Sequence, residues 1–299
     1  MEAVRQTSVH AYRFALRVLR DFFLRNNGLL LTGAVAYNAL LSLIPLSAVL
    51  VVIFSQFFDT ALLLDALGTE VSLIAPGAAP MLIEVLESFL QTRQMAGWLG
   101  VLVLLFFSSI AFRVLENAIA IIFHRPMRTL RRRLWVSALL PYLFIGLVAL
   151  GLIAVSTLTA FLETSEGRTY VLGGVDFTLF HVGGPLLYAM GFLGLVLLFT
   201  TLYKVMPTTT ISFRLALSGG ITATILWEVL RHLLVVYFTS MSFVNAIYGS
   251  MATTVIALLT MEAAALIVLL GAQVIADLQR SMSAGTPWYE DADEQQGDV

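Results

Sequence analysis

Residues 29–57 read LLLTGAVAYNALLSLIPLSAVLVVIFSQF and carry no charged side chain. A helix needs roughly 20 consecutive apolar residues to cross the hydrocarbon core of a bilayer, and this stretch is longer than that. It is also too long for the core of a secretory signal peptide, and it lacks a convincing cleavage site. We therefore interpret it as a retained membrane span that decides the fold of the chain.

The rest of the chain has the same character. Of its 299 residues, 59% are hydrophobic and 12% are charged, whereas a water-soluble domain carries roughly 25% charged residues. The predicted fold class is therefore all-α, a polytopic membrane helix bundle with about six transmembrane helices. The apolar blocks place these spans at 29–57, 98–122, 134–161, 178–203, 214–239 and 248–276.

The chain divides into three predicted parts: a basic segment at 1–27, a transmembrane domain at 28–280 and an acidic, disordered tail at 281–299. The first segment has the pattern of an amphipathic helix. Its apolar stripe is Val9, Tyr12, Leu16, Leu19 and Phe23, and Arg13, Arg17 and Arg20 share another face. Two interpretations stay open here: a cytoplasmic helix that lies on the membrane surface, or a solvated helix packed on the protein.

A longer connection, predicted to be an outer loop, occupies residues 58–97. The stretch 75–80, APGAAP, is a helix breaker within it. A second amphipathic pattern follows, and it predicts a short helix resting on the outer surface. The apolar side of this pattern is Met81, Leu82, Val85, Leu86, Phe89 and Leu90, opposite Glu84, Glu87 and Gln91.

Basic residues gather in alternate connections between the spans. They are Arg5, Arg13, Arg17, Arg20 and Arg25 before the first span, Arg125, Arg128, Arg131, Arg132 and Arg133 after the second, and Lys204 and Arg214 after the fourth. Because Lys and Arg mark the cytoplasmic side, both termini are predicted to be cytoplasmic. This arrangement requires an even number of spans and supports six. The expected location is the plasma membrane, with anionic lipids as partners at its cytoplasmic face.

Polar side chains inside the spans are the candidate functional residues, because each is costly in hydrocarbon and needs a partner. Arg113, Glu116 and Asn117 share one helical face by their spacing, and so do Glu228, Arg231 and His232. Pro45 removes a backbone donor from the first span and predicts a kink there. The complete candidate set is Tyr37, Asn38, Ser42, Pro45, Arg113, Glu116, Asn117, Glu228, Arg231, His232 and Glu262.

The charged members of this set have two interpretations. Arg113, Glu228, Arg231 and Glu262 could neutralise one another inside the bundle, as a structural polar cluster that fixes helix packing. They could also form a path for a substrate or for protons. Gln273 and Asp277 lie nearer the cytoplasmic end of the last span. Close approach of helices is predicted at the small residues Gly146, Gly151, Gly191, Gly194, Ala216, Gly219 and Gly220.

Several short stretches occur in an order and spacing typical of one family. They are AYNALLSLIP at 36–45, RVLEN at 113–117, YKVMP at 203–207, YGSMA at 248–252 and LLGAQ at 269–273. The first resembles the tyrosine–serine–proline signature in the first span of the YihY/BrkB family of bacterial inner-membrane proteins. The others are similar to that family's second span, the loop after its fourth span, and its last span. The resemblance covers about residues 20–280.

This resemblance implies a bundle of about six helices in the inner membrane, with both ends in the cytoplasm and a role in envelope integrity. Members of the family have been described as serum-resistance or virulence factors, and have also been labelled ribonuclease BN. A transporter role for lipids or other amphipathic molecules has been proposed for relatives.

The residues themselves disfavour a ribonuclease. Metal-dependent cleavage of a phosphodiester needs clustered carboxylates or histidines within reach of water, and the histidines here are scattered. No H-x-E, Walker or glycine-rich phosphate motif is present, and the chain has no cysteine. We predict no enzymatic activity, no cofactor or metal, and no nucleic-acid partner, since topology explains the basic loop at 125–133. The histidines are His10, His124, His181 and His232.

Two functions stay open at this point. One is a transporter or flippase-like carrier of a lipid or amphipathic substrate, indicated by the charged residues in several spans and by the proline in the first. The other is a non-transporting scaffold for envelope-assembly partners, indicated by the outer amphipathic segment and the basic inner surface.

Overall fold

The structure of the protein is a computed structural model, and it consists mostly of helices. It describes residues 2–55, 59–74, 78–124, 143–144, 146–147, 169–172, 175–178, 180–207, 211–239 and 252–289. The helices are α1 (Glu2–Arg20), α2 (Gly28–Phe54), α3 (Thr60–Ile74), α4 (Ala78–Ile122), α5 (Phe180–Val205), α6 (Phe213–Thr239) and α7 (Ala252–Ala284). A single π-helical turn, Asp21–Arg25, connects α1 to the start of α2.

A small β-hairpin, which the sequence patterns do not predict, precedes α5. Its strands β1 (Thr169–Leu172) and β2 (Val175–Thr178) are antiparallel, with Thr169 opposite Thr178 and Leu172 opposite Val175. In the sequence, positions 173 and 174 are both glycine.

The helical membrane character of the chain is confirmed. Within the described residues, three helical segments are long and apolar enough to cross a membrane, Leu187–Val205, Phe213–Leu233 and Ala257–Ala284. The predicted first span corresponds to α2, which continues through Pro45. The predicted third span, 134–161, lies outside the described residues except for four helical positions. The total of about six spans therefore stays a prediction.

The prediction of a separate short helix resting on the outer surface at 81–91 is wrong. This segment is the beginning of α4, a helix of 45 residues that also includes the predicted second span. Leu82 and Leu86 are buried in a cluster with residues of α2 and α3. Glycine weakens a helix without stopping it, so Gly97 and Gly100 do not end α4. Leu82 and Leu86 therefore pack against protein, and the helix continues.

Helix α7 lies at the centre of the described bundle. It packs against α2, α4 and α6, while α2 also packs on α4, and α6 on α5. In the most apolar stretch of 18 residues within each segment, 56% of the residues are buried in Ala257–Ala284, compared with 22% in Leu187–Val205 and 28% in Phe213–Leu233. The main core cluster includes Leu269 and Ile275 of α7, both fully buried. The faces of α5 and α6 that turn away from α7 are consequently the more exposed surfaces.

Glycines allow α5, α6 and α7 to approach closely. This confirms the prediction of close packing at Gly219 and Gly220. A Cβ atom on Gly220 of α6 would stand 3.0 Å from the backbone nitrogen of Thr200 and 3.1 Å from the carbonyl oxygen of Val196. A Cβ on Gly219 would stand 3.0 Å from the carbonyl oxygen of Gly271. By contrast, no atom of the described residues lies within 4 Å of such an atom on Gly146, Gly191 or Gly194, so the described helices make no close approach at these three.

We expect Gly220→Ala to destabilise the bundle, because the added methyl meets the backbone of α5 and overpacking of this kind costs about 1–3 kcal/mol. Gly191→Ala is the matched control, since the new methyl there meets open space and alanine favours the helix. Thermal unfolding of the two variants in the same detergent measures the difference. Equal midpoints for both variants would contradict the close contact of α5 and α6.

Candidate functional site in the polar groups of the helix bundle

A polar group built around Glu228 lies between α5 and α6. The Glu228 carboxylate accepts hydrogen bonds from Arg231 Nη2 at 2.8 Å and from the Tyr188 hydroxyl of α5 at 3.4 Å. His232 Nδ1 stands 2.7 Å from the carbonyl oxygen of Glu228. The three- and four-residue spacing on α6 brings these side chains to one face. The structure thus joins three of the candidate residues, and it adds Tyr188, which no sequence pattern had indicated.

This group opens onto an apolar helix surface. The side chain of Arg231 is 52% exposed and that of Glu228 is 14% exposed, and Tyr188 is exposed as well. A charged pair on a lipid-facing surface is costly unless water or a polar ligand solvates it. The exposed apolar neighbours are Ile225, Val229 and Leu233 on α6 and Leu193 and Leu197 on α5.

The other charged candidates stand apart from Glu228. Arg113 of α4 is exposed, and its guanidinium carbon lies 5.9 Å from the ring centroid of Phe106, a cation–π contact. Glu262 of α7 is half-buried and forms no hydrogen bond or ion pair with any residue that the structure describes. Glu116 is half-buried beside the exposed Asn117. Among the described residues, the acids and bases of different spans therefore do not form one neutralised centre.

The candidates on α2 differ in exposure and in their hydrogen-bond partners. Asn38 Nδ2 donates to the carbonyl oxygen of Ala34 at 2.8 Å, within its own helix. Ser42 is buried, Pro45 is half-buried and Tyr37 is exposed. Bonds from a side chain to the preceding turn are a common way for a helix in lipid to satisfy a polar group.

A second polar network, buried and close to the ends of the chain, joins α7 to the segment before α2. Asn26 Nδ2 donates to Gln273 Oε1 at 2.8 Å, and Gln273 Nε2 donates to Asp277 Oδ1 at 2.9 Å. Arg280 Nη1 lies 3.3 Å from Asp21 Oδ2 and 3.7 Å from Asp277 Oδ1. The sequence indicates Gln273 and Asp277 as polar residues of the last span, but Asn26, the partner of Gln273, lies 247 residues earlier, where no periodicity could reveal it.

Arg17 attaches α1 to this network. It is 7% exposed, and its Nη2 donates to Ser281 Oγ at 3.1 Å, to the carbonyl oxygen of Trp288 at 3.3 Å and to that of Asp277 at 3.4 Å. Arg13 and Arg20, which share a helical face with Arg17 by their spacing, are exposed. The difference follows from tertiary packing, since α7 covers one edge of that basic face.

Neither polar group has the composition of a metal centre. Within the described residues, no group of three or more His, Asp or Glu side chains could hold a metal ion. The Glu228 group instead combines one acid, one base and a hydroxyl. This combination suits the binding of a polar or charged headgroup by hydrogen bonds.

The chain matches the family model of the virulence factor BrkB over residues 20–295. It belongs to the BrkB family. It is 29% identical over 273 residues to a UPF0761 membrane protein of Azotobacter vinelandii, covering 89% of this chain and 63% of that protein. A UPF0761 membrane protein of Aggregatibacter aphrophilus is 26% identical over 254 residues, which is 82% of this chain and 85% of that one. No solved structure matches the chain.

These comparisons confirm the resemblance seen in the sequence and identify a membrane protein. The BrkB-family match includes α2 through α7, and therefore both polar groups apart from Arg17. The chain spans 63% of the length of the Azotobacter relative. Most of α1 precedes the matched range.

We expect Arg17→Gln to release α1 from α7, because three hydrogen bonds of a buried cation are lost, and bonds of this kind contribute about 1.5–3 kcal/mol each. Limited proteolysis with a nonspecific protease should then cut the N-terminal segment faster than in the parent protein. Arg13→Gln removes an exposed arginine one turn away and should leave the cleavage rate unchanged. Equal rates for both variants would show that Arg17 does not hold α1.

Proposed function

We propose that this BrkB-family protein is an inner-membrane carrier, rather than an enzyme, for a lipid or another amphipathic molecule, and that it supports envelope integrity in this way. Its termini lie in the cytoplasm under this proposal. The observation that supports it is the Glu228–Arg231 ion pair with Tyr188, half-open on an apolar surface of two membrane-crossing helices. A structural ion pair would be expected to lie in the interior, where α7 packs.

The surface of α5 and α6 has the two chemistries that an amphipathic molecule needs. A polar headgroup crossing the membrane requires hydrogen-bonding partners, because hydrocarbon supplies none. Arg231 and the Tyr188 hydroxyl are donors suited to a phosphate or carboxylate oxygen. The exposed Leu193 and Leu197 lie on the same helix as Tyr188, so acyl chains can stay in contact with apolar side chains while the headgroup is held.

Glu228 has a specific part in this proposal. An isolated arginine at the centre of a membrane helix costs about 2.5–3.5 kcal/mol on insertion scales. Pairing with Glu228 at 2.8 Å lowers that cost and holds the guanidinium in place. Arg231 is nevertheless half-exposed, so it can donate further hydrogen bonds to a headgroup without first leaving its partner.

Lipid scrambling in proteoliposomes tests the carrier. The transbilayer movement of a fluorescent phospholipid, followed by dithionite quenching, should be faster with the parent protein than in empty liposomes. Arg231→Gln and Glu228→Gln should each slow it by about tenfold, a barrier increase of about 1.4 kcal/mol. Glu262→Gln is the matched control, because Glu262 also lies inside a membrane-crossing helix but makes no contact with this group.

Three results would argue against the carrier. They are a parent protein that scrambles lipid no faster than empty liposomes, a Glu228→Gln variant that scrambles as fast as the parent, and a Glu262→Gln variant that loses as much of the scrambling rate as Glu228→Gln. Each variant is first compared with the parent by gel filtration and thermal unfolding. A loss of scrambling therefore counts only in protein that is folded.

The region between α3 and α4 favours a second candidate, a non-transporting scaffold for envelope-assembly partners. Asp65, Glu84 and Glu87 are exposed around a cavity of about 500 Å³. An acidic surface of this kind suits a basic partner. Leu82 and Leu86 of the same helix turn inward and are buried, so the acidic face can be changed without disturbing the core.

For the scaffold, we expect the double variant Glu84→Lys, Glu87→Lys to lose envelope function while scrambling stays unchanged, because only the charge of an exposed surface is reversed. Detergent sensitivity of a strain that carries the variant in place of the parent gene is the readout. Glu228→Gln serves as the reciprocal control and should keep envelope function. A sensitive Glu228→Gln strain together with a resistant charge-reversal strain would reject the scaffold.

A further inference from the structure

Helix α1 has one face that is fixed to the rest of the protein. Arg17 and Val18 are buried there, followed by Asp21 and Phe22 of the π-helical turn. The residues after α7 complete this contact. The ring of His10 stacks on Tyr289, with 3.8 Å between centroids, and Phe14 meets Trp288 edge to face at 5.6 Å. The contact thus extends over more than three turns of helix.

The opposite face of α1 is apolar and exposed. At 3.6 residues per turn, these apolar positions lie on the far side of the helix from Phe14, Arg17 and Val18. The stripe is Val9, Tyr12, Leu16, Leu19 and Phe23, with exposed fractions between 37% and 66%. A soluble protein rarely exposes a continuous apolar patch of this length unless something binds it.

The stripe continues into the exposed apolar start of α2. Leu24, Leu29 and Leu30 are exposed, at 78%, 60% and 74%, and they extend the apolar surface through the π-helical turn to the first turn of α2. Residues 29–57 carry no charge and form the predicted first membrane span. This prediction places the start of α2, and with it the stripe, at the level of the membrane surface.

Arginines border the stripe on one side. Arg13 and Arg20 are exposed, and helical spacing places both between the stripe and the buried face. Arg20 also donates to Asp21 Oδ1 at 3.3 Å, and its side chain is 49% exposed, so part of its guanidinium still faces outward. Long basic side chains at such an edge keep their stems along apolar surface while the charge reaches the headgroup layer. Apolar side chains beside exposed arginines are the composition of helices that bind anionic bilayers.

We propose that α1 is an in-plane membrane helix whose stripe inserts among the lipids, with Arg13 and Arg20 at the phosphates of anionic headgroups. Its other face is fixed to α7 by Arg17 and by the ring contacts with residues 288 and 289. The membrane surface therefore has a rigid connection to the central helix of the bundle. This inference does not depend on the carrier, because it concerns a different helix and a different ligand surface.

The full chain is suited to a direct test because it contains no cysteine. A nitroxide label is attached to Tyr12→Cys, Leu16→Cys or Gln6→Cys, each in the full-length protein reconstituted in vesicles. The first two positions lie on the stripe, and Gln6 is exposed on the side of the arginines. Collision of the label with oxygen, which concentrates in lipid, is compared with collision with a water-soluble nickel chelate.

In vesicles of phosphatidylethanolamine and phosphatidylglycerol, we expect the oxygen-to-nickel ratio at positions 12 and 16 to exceed that at position 6 severalfold. The excess should shrink when phosphatidylcholine replaces both lipids, because the arginines then lose their anionic partners. All three replaced side chains are exposed, so folding should be preserved, and the two stripe positions check one another.

Several outcomes would overturn the proposal. Equal ratios at all three positions would place the stripe in water. Protection of positions 12 and 16 from both reagents would show that protein covers the stripe, such as a second copy of the chain. Oxygen-to-nickel ratios that are the same in anionic vesicles and in phosphatidylcholine vesicles would show that anionic headgroups do not bind α1.

Discussion

The hydrocarbon core of the bilayer supplies no hydrogen bonds, and the structure depends on that constraint. Each backbone polar group has to be satisfied within the protein, which makes the crossing segments helical. The same demand falls on side chains. Tyr203 is fully buried, and its hydroxyl donates to the carbonyl oxygen of Val268 at 2.8 Å. Thr224 donates to the carbonyl oxygen of Gly220, one turn before it. An interhelical partner thus satisfies Tyr203, and a partner in its own helix satisfies Thr224.

The buried network at Gln273 and the Glu228 group satisfy their polar atoms in different ways. The network of Asn26, Gln273 and Asp277 is buried and joins segments that are distant in sequence. Such a network selects one arrangement of helices, because breaking any pair leaves a buried polar atom unpaired. The Glu228–Arg231 pair is local, i to i+3, and half-open. The pair therefore adds little to helix packing. Because it is local and half-open, it is a better candidate for binding than the buried network.

The network also gives the N-terminal helix a defined place. Arg17 binds the end of α7, while the stripe that includes Leu16 faces away from the protein. The two interpretations of this segment, a helix on the membrane and a helix packed on the protein, are therefore compatible. The packed face is observed in the structure, and the lipid-facing role of the other is our proposal. One helix can do both because opposite faces are separated by half a turn.

The sequence by itself determined that this is a membrane protein, that it is helical, and to which family it belongs. Apolar blocks and short motifs indicate these properties because they are features of neighbouring residues. The sequence also placed Glu228, Arg231 and His232 on one face by helical spacing alone. Tertiary structure decided that α4 continues through 81–91, that Tyr188 joins Glu228, and that Arg17 is buried against residues about 260 positions away. Contacts between distant segments leave no periodic pattern, since they depend on how whole helices pack once water is excluded.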